Sequence, residues 1–368
     1  MSINIVLTIG AFLISMICGF VMIPLILSYC KKKKLYDLPN TRKIHTTNVP
    51  RLGGISFVPS MILSSIIALF ILSDQYQEQK IEINLWSLYF MISLLMIYSV
   101  GIIDDLIGLG ANIKFVIQIL AASLLPMAGL YINNLYGLFG IHEIPFWIGA
   151  PLTVITIVFV DNAMNLIDGI DGLCASLSLL ALLGFLFYFW QQELYTYCIL
   201  ISGLTGILIS YLYFNVFGET KRKMKIFMGD SGSLTLGFIL GFLFVKYTMD
   251  NRAVMPFCED RMIKAYSLLI VPTFDVIRVV LHRIKIKQPI FNADKNHIHH
   301  KMMRAGLSMH QSLIAILCLA VFFVLVNFIS YPLIGISWVL IVDVGLYTIA
   351  HLTINIFIMR KEEKEGLA

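Results

Sequence analysis

Apolar stretches recur along the whole chain, each long enough to cross a bilayer as a helix and each closed by a short polar segment. A helix rises about 1.5 Å per residue, so roughly 20 apolar residues span the hydrocarbon core. Runs of this kind begin near Ile3, Ile55, Leu85, Ile113, Phe146, Leu173, Thr196, Leu234, Ile263, Ser312 and Leu333. They predict an all-α, polytopic integral membrane protein with about eleven transmembrane helices. The run from Phe146 is short and ends in polar residues, and only Ser330-Tyr331-Pro332 parts the last two. The first run, Ile3 to Tyr29, has no basic segment before it and is followed by Lys31-Lys32-Lys33-Lys34. That pattern marks a first membrane helix, not a cleaved leader. Apolar runs are spread evenly, so residues 1–368 read as one membrane domain.

Charge then orients the spans. With the N-terminus outside and the spans alternating, 22 of the 27 Lys and Arg fall on the cytosolic side, the bias expected of a membrane protein. Lys80, Lys246, Arg252, Arg261 and Lys264 are left outside, and an odd span count puts the C-terminus in the cytosol. The same alternation brings the polar segments 31–54, 104–113, 161–172, 217–233 and 284–310 to one face. Far apart in sequence and together in space, they have the arrangement of one composite site.

Composition narrows the class. The chain is 58% hydrophobic and 13% charged, against roughly 25% charged in soluble domains, which excludes a soluble enzyme. Its net charge of +5 lies mostly in short loops between spans. That suits membrane lipids with anionic headgroups and phosphorylated substrates, and speaks against a nucleic-acid partner. The six cysteines form no CxxC pair and read as small apolar helix residues.

Four clusters and one loop carry candidate chemistry. Asp104-Asp105 closes the third run, and adjacent carboxylates repel unless a cation neutralises them. They suit Mg²⁺ or a base acting on a phosphate, or else a solvated helix end; Lys114, starting the next run, is a phosphate ligand or a snorkelling anchor. In Asn162-Ala-Met-Asn165-Leu-Ile-Asp168-Gly169-Ile-Asp171-Gly172, residues three apart share a helix face. Amide and carboxylate together suit a nucleoside and a metal-bound phosphate. Phe227-Met-Gly229-Asp230-Ser231-Gly232-Ser233 places a hard oxygen ligand and helix N-terminal amides where an anion or Mg²⁺ can bind, or is an ordinary helix cap. In Asp294-Lys-Asn-His297-Ile-His299-His300, the spacing does not match a helical zinc motif, and the imidazoles suit phosphate oxygens. The loop Lys43, His45, Arg51, Gly53-Gly54 feeds a glycine turn that suits phosphates. Asp275 and Arg278 form an i,i+3 pair, structural or functional.

Together these residues resemble the polyprenyl-phosphate N-acetylhexosamine-1-phosphate transferase family, with its motifs in order from about Asp37 to Leu307. The Asp-x-x-His-x-His-His form looks like the GlcNAc-1-phosphate branch, whereas the phospho-MurNAc-pentapeptide translocase branch carries consecutive histidines. The resemblance implies transfer of a HexNAc 1-phosphate, GlcNAc-1-phosphate first, from a UDP-sugar to undecaprenyl phosphate with release of UMP. It implies Mg²⁺ as cofactor, with Mn²⁺ as a substitute, in a bacterial inner membrane with the site facing the cytosol. Carried over, the catalytic set is Asp104, Asp105, Asp168, Asp230 and His297, and the metal set is Asp230 and Asn162. Substrate contacts fall to Lys43, His45, Arg51, Lys114, Asn162, Asn165, Asp171, Phe227, His299, His300 and Arg304, with Phe227 stacking on uracil. A homodimer is compatible with this class. One departure is the basic stretch between Asn215 and Phe227, where the family carries a shorter, Pro-containing link. It leaves UDP-GalNAc or a 6-deoxy-HexNAc donor open. From other classes, a secondary transporter of a phosphorylated solute would place its polar groups near the midplane within repeats, and no repeat is visible; an intramembrane metalloprotease would need its histidines inside a span.

Overall fold

The computed structural model describes residues 3–37, 48–75, 85–218, 224–289 and 296–364. Lys43, His45 and Asp294 lie outside them.

Most described residues are helical. The order is α1 (Ile3–Lys33), α2 (Phe57–Gln75), α3 (Leu85–Ile107), α4 (Ala111–Met127), α5 (Phe146–Ile167), α6 (Leu173–Gln191), α7 (Tyr195–Val216), α8 (Asp230–Thr248), α9 (Arg261–Ser267), α10 (Ile270–Lys285), α11 (Ile298–Arg304) and α12 (Met309–Lys364). Two small antiparallel strand pairs interrupt them: β1 (Tyr36–Asp37) with β2 (Val49–Pro50), and β3 (Asn134–Leu138) with β4 (Ile141–Glu143). Among the described residues, eight helices are long and apolar enough to cross a membrane, and α4 is a shorter apolar helix.

Two expected spans take unexpected forms. The run from Ile263 breaks at Leu268–Leu269 into α9 and α10, just ahead of Pro272, which has no N–H to continue the ladder. Beyond the break α10 is two-faced: Asp275, Val276, Val279 and Arg283 are buried while Ile277, Leu281 and Ile284 are exposed. The last two runs form one element that continues through Pro332 and turns at Gly335, whose φ of 73° and ψ of 168° are open only to glycine. The bend therefore sits just beyond Ser330-Tyr331-Pro332.

Helix α8 is the centre of the bundle, buried from Ser231 to Thr248. It is apolar on every side, as a fully enclosed helix must be, and its glycines let neighbours approach closely. A Cβ on Gly237 would lie 2.5 Å from the Asp161 Cα of α5, and one on Gly54 would lie 2.1 Å from the Gly232 nitrogen. The end of α3 is as tight: a Cβ on Gly101 would meet the Ser231 Cα at 2.5 Å. These contacts gather the ends of α3, α5 and α7 and the starts of α2, α4, α6 and α8 at one end of the bundle. At the other end, Asn133 exchanges two 2.8 Å hydrogen bonds with Asp250, and the buried Arg261 donates to the Met249 and Pro256 carbonyls.

Candidate active site

The site is assembled around the first turn of α8. The sequence places helix N-terminal amides there, open to an anion, to Mg²⁺ beside Asp230 or to an ordinary cap. The structure fills that position from within: Asp105 Oδ1 accepts from the Asp230 amide at 2.9 Å and Oδ2 from the Ser231 amide at 3.0 Å. The next two amides, of Gly232 and Ser233, donate to the Gly229 carbonyl. Charge-assisted bonds of this kind are worth about 1.5–3 kcal/mol each, so Asp105, 4% exposed, fastens α3 to α8. The Gly53-Gly54 turn is used likewise, its two amides donating to the Phe227 and Met228 carbonyls at 2.9 and 2.8 Å. The Gly53-Gly54 amides are thus spent on backbone carbonyls, and those of Asp230 and Ser231 on the Asp105 carboxylate.

Asp104 points the other way. Its Oδ1 accepts from the Leu109 amide at 2.7 Å, and its Oδ2 lies 3.3 Å from the Lys114 ammonium. Lys114 also reaches Asp230 Oδ2 at 2.7 Å. One cation thus bridges two carboxylates that are 116 residues or fewer from it in sequence. Asn165 lies within hydrogen-bonding reach of Asp230 and donates to Ser233 Oγ at 2.8 Å. Asn162 instead donates to Gln118 Oε1 at 2.9 Å and to the Val158 carbonyl at 2.7 Å. Of the two amides, Asn165 is the one brought to Asp230.

Asp168 ends α5 and, among the described residues, its carboxylate has no hydrogen-bond or ion-pair partner. Burial, together with the charges of Asp230, Asp171 and Asp105, pushes its pKa up to about 8. Asp171 is paired with Lys225. Asn215 holds this loop by accepting from the Gly172 amide at 2.6 Å and donating to the Ile226 carbonyl at 2.8 Å. Phe227, half-buried, is anchored by its own amide, which donates to the Pro50 carbonyl at 2.7 Å. Arg51 is half-buried beside this segment, and its carbonyl sits where a Cβ on Gly229 would be.

The histidine segment closes the other side. His299 is buried against Gly169, whose Cβ would lie 2.1 Å from the His299 Nε2. Burial, reinforced by His300 and His297, pushes its pKa down to about 3. His300, half-buried, packs against His299 with ring centroids 4.2 Å apart and the planes tilted by 45°. His297 Nδ1 lies 2.8 Å from Asp275 Oδ2. Arg304 is not brought to the site; it is exposed and points to Glu362 of α12 at 3.8 Å.

From this polar end a cavity of about 950 Å³ runs between α4, α5 and α10. Lys114, Asn162, Asn165, Arg283 and His297 line its polar part, and residues such as Ile119, Val154, Ile155 and Phe159 form apolar walls down to Met127 and Phe146. Several of those wall residues, Ile155, Met127 and Phe146 among them, are also exposed on the flank of the bundle.

Residues 87–248 match the family model described as glycosyl transferase family 4. Over 318 residues the chain is 30% identical to a Bacillus subtilis protein described as a probable undecaprenyl-phosphate N-acetylglucosaminyl 1-phosphate transferase, covering 83% of this chain and 80% of that one. It is also 30% identical, over 89% of its own length and 84% of the relative's, to the undecaprenyl-phosphate alpha-N-acetylglucosaminyl 1-phosphate transferase of Yersinia pestis. The enzyme of that name from Escherichia coli K12 is 29% identical, with 78% and 74% covered. The chain belongs to glycosyl transferase family 4.

The matched stretch holds α3 to α8, the frame on which Asp104, Asp105, Lys114, Asn165, Asp168 and Asp230 stand. Sequence reasoning missed three residues of this family-4 site. Gln118 follows Lys114 by one helical turn on the groove face of α4, a spacing that could have revealed it. Asn215 is a lone amide at the end of an apolar run. Arg283, buried in the groove wall, was hidden inside a basic stretch read as a topology signal.

Proposed function

We propose that this chain transfers GlcNAc 1-phosphate from UDP-GlcNAc to undecaprenyl phosphate, releasing UMP, at the cytosolic face of a bacterial inner membrane. The observation that carries the reading is the cavity: an apolar groove open to the bundle flank that ends on Lys114, Asn165 and His297, beside a cluster of aspartates. A lipid tail fits the apolar part and a phosphate the cationic end. The relatives' names supply the sugar and the lipid, and the concentration of Lys and Arg on one side supplies the orientation.

In this reaction an oxygen of the lipid phosphate attacks the β-phosphorus of the donor. The bond from that phosphorus to the bridging oxygen breaks, and UMP leaves with the electron pair. Such transfers rest on positioning and charge neutralisation. Lys114 screens the two phosphates as they approach, and Phe227 offers a ring to the base. Asp171, neutralised by Lys225, and Asn165 orient the nucleotide. Asp105 keeps Asp230 in place and contacts no substrate.

The donor set suits a hard divalent cation. Asp104, Asp168 and Asp230 present carboxylates, Lys114 offsets two of them, and among the described residues Asp168 has no cation to offset it; burial, and then the neighbouring carboxylates, raise its pKa. Asp230 and Asp168, with the amide of Asn165, would hold Mg²⁺, which when bound neutralises charge on the diphosphate. Replacing Asp230 with Asn should lower UMP release by about 10²–10³-fold in detergent-solubilised protein given undecaprenyl phosphate, Mg²⁺ and a panel of UDP-HexNAc donors. Near-normal turnover in that variant would overturn the assignment, and failure of every donor with the unaltered protein would overturn the reaction.

A further inference from the structure

The i,i+3 pair on α10 has a structural consequence that its spacing did not reveal. Asp275 is fully buried and spends both oxygens on one short segment. Oδ2 faces His297 Nδ1 at 2.8 Å, and Oδ1 accepts from the Ile298 amide at 3.0 Å and from Arg278 at 2.9 Å. Arg278 in turn donates to the Asn296 carbonyl. The backbone on either side of His297, and one nitrogen of its ring, are therefore clamped by a single helix turn. The other nitrogen, Nε2, is buried with no hydrogen-bond partner among the described residues, and His297 lines the polar end of the groove with Lys114 and Asn165.

A buried carboxylate opposite Nδ1 accepts a hydrogen bond from Nδ1–H, which keeps the proton there and leaves Nε2 as the lone-pair nitrogen. That is the logic by which an orienting group fixes the tautomer of a general base. We propose that Asp275 is a positioning residue for the transfer: it holds His297 so that Nε2 takes the proton from the acid form of the lipid monophosphate. The proposal rests on the transferase reading above. The proton passes from the phosphate hydroxyl to Nε2, giving an imidazolium held by the Asp275 carboxylate. The phosphate becomes a dianion, and its oxygen forms the new bond to the β-phosphorus as UMP departs. The proton returns to water once product leaves.

The test is a double-variant cycle on the full-length protein in detergent, read as kcat and KM for UDP-sugar. Asp275→Asn keeps the shape but can donate to Nδ1, which puts the ring proton on Nε2 and leaves no lone pair facing the groove. Its kcat should fall ~10²-fold or more, with the KM for the donor and the melting temperature close to those of the parent. Asp275→Glu should restore part of the rate. Because Asp275 acts through His297, the Asp275→Asn/His297→Gln double variant should be no slower than His297→Gln alone. Additive losses, or a kcat that falls only in step with the melting temperature, would overturn the inference and leave the transferase standing. A parent protein that releases UMP from no donor would overturn the transferase reading, and the inference with it.

Discussion

Asp168 shows how environment sets the task of a residue. Among the described residues its carboxylate has no partner, and burial beside three other carboxylates pushes its pKa up to about 8. Below that pH it carries a proton, which a metal must displace before the oxygen can ligate. Mg²⁺ should therefore bind more tightly as pH rises from 7 to 9, by up to ~10-fold per unit while the group is protonated. Titrating Mg²⁺ activation at several pH values checks this, and Asp168→Asn should flatten the trend. At this scale the sequence was a good guide to residue types and a poor one to their partners. Asp104 and Asp105 are adjacent and alike, yet one turns to Lys114 and the other to the amides of α8. Neighbours on one strand of text point to opposite sides of a helix end, and only the packing of α3 on α8 decides which is which.

Among elements, the helix starts were legible because a membrane helix must satisfy its own backbone and show an apolar surface. The observed starts of α1, α3, α5 and α6 coincide with the apolar runs at Ile3, Leu85, Phe146 and Leu173. The breaks were less legible. A run of apolar residues conceals that α10 separates from α9, since Ile270 to Val280 is as greasy as a span and only its alternation of buried Asp275, Val279 and Arg283 with exposed Ile277, Leu281 and Ile284 betrays a two-faced helix. At Gly335 the bend depends on one dihedral pair. Nothing lies within 4 Å of where its Cβ would be, so Gly335→Ala meets no clash, and conformational strain alone should cost about 1–3 kcal/mol. A lower melting temperature with an unchanged KM for the donor would show that the bend is structural and remote from the chemistry.

For the whole molecule, the arrangement of five polar segments on one face was readable from alternation alone, whereas the groove was not. Its walls come from α4, α5 and α10, and apolar side chains facing a cavity look the same in sequence as those facing lipid. The groove predicts a separation of effects. Ala150 lines it, and Ala150→Trp should raise the KM for undecaprenyl phosphate by ~10-fold, the value of about 1.4 kcal/mol of lost contact. The KM for the UDP-sugar should stay the same, as parallel titrations of the two substrates would show. Because the groove opens on the flank, one substrate arrives sideways through the bilayer and the other straight from water. The enzyme then samples its acceptor in two dimensions. Saturation is governed by the mole fraction of lipid phosphate in the membrane, and diluting the acceptor with inert phospholipid slows the enzyme at constant bulk concentration, while diluting the vesicles at constant UDP-sugar concentration leaves the rate per enzyme unchanged.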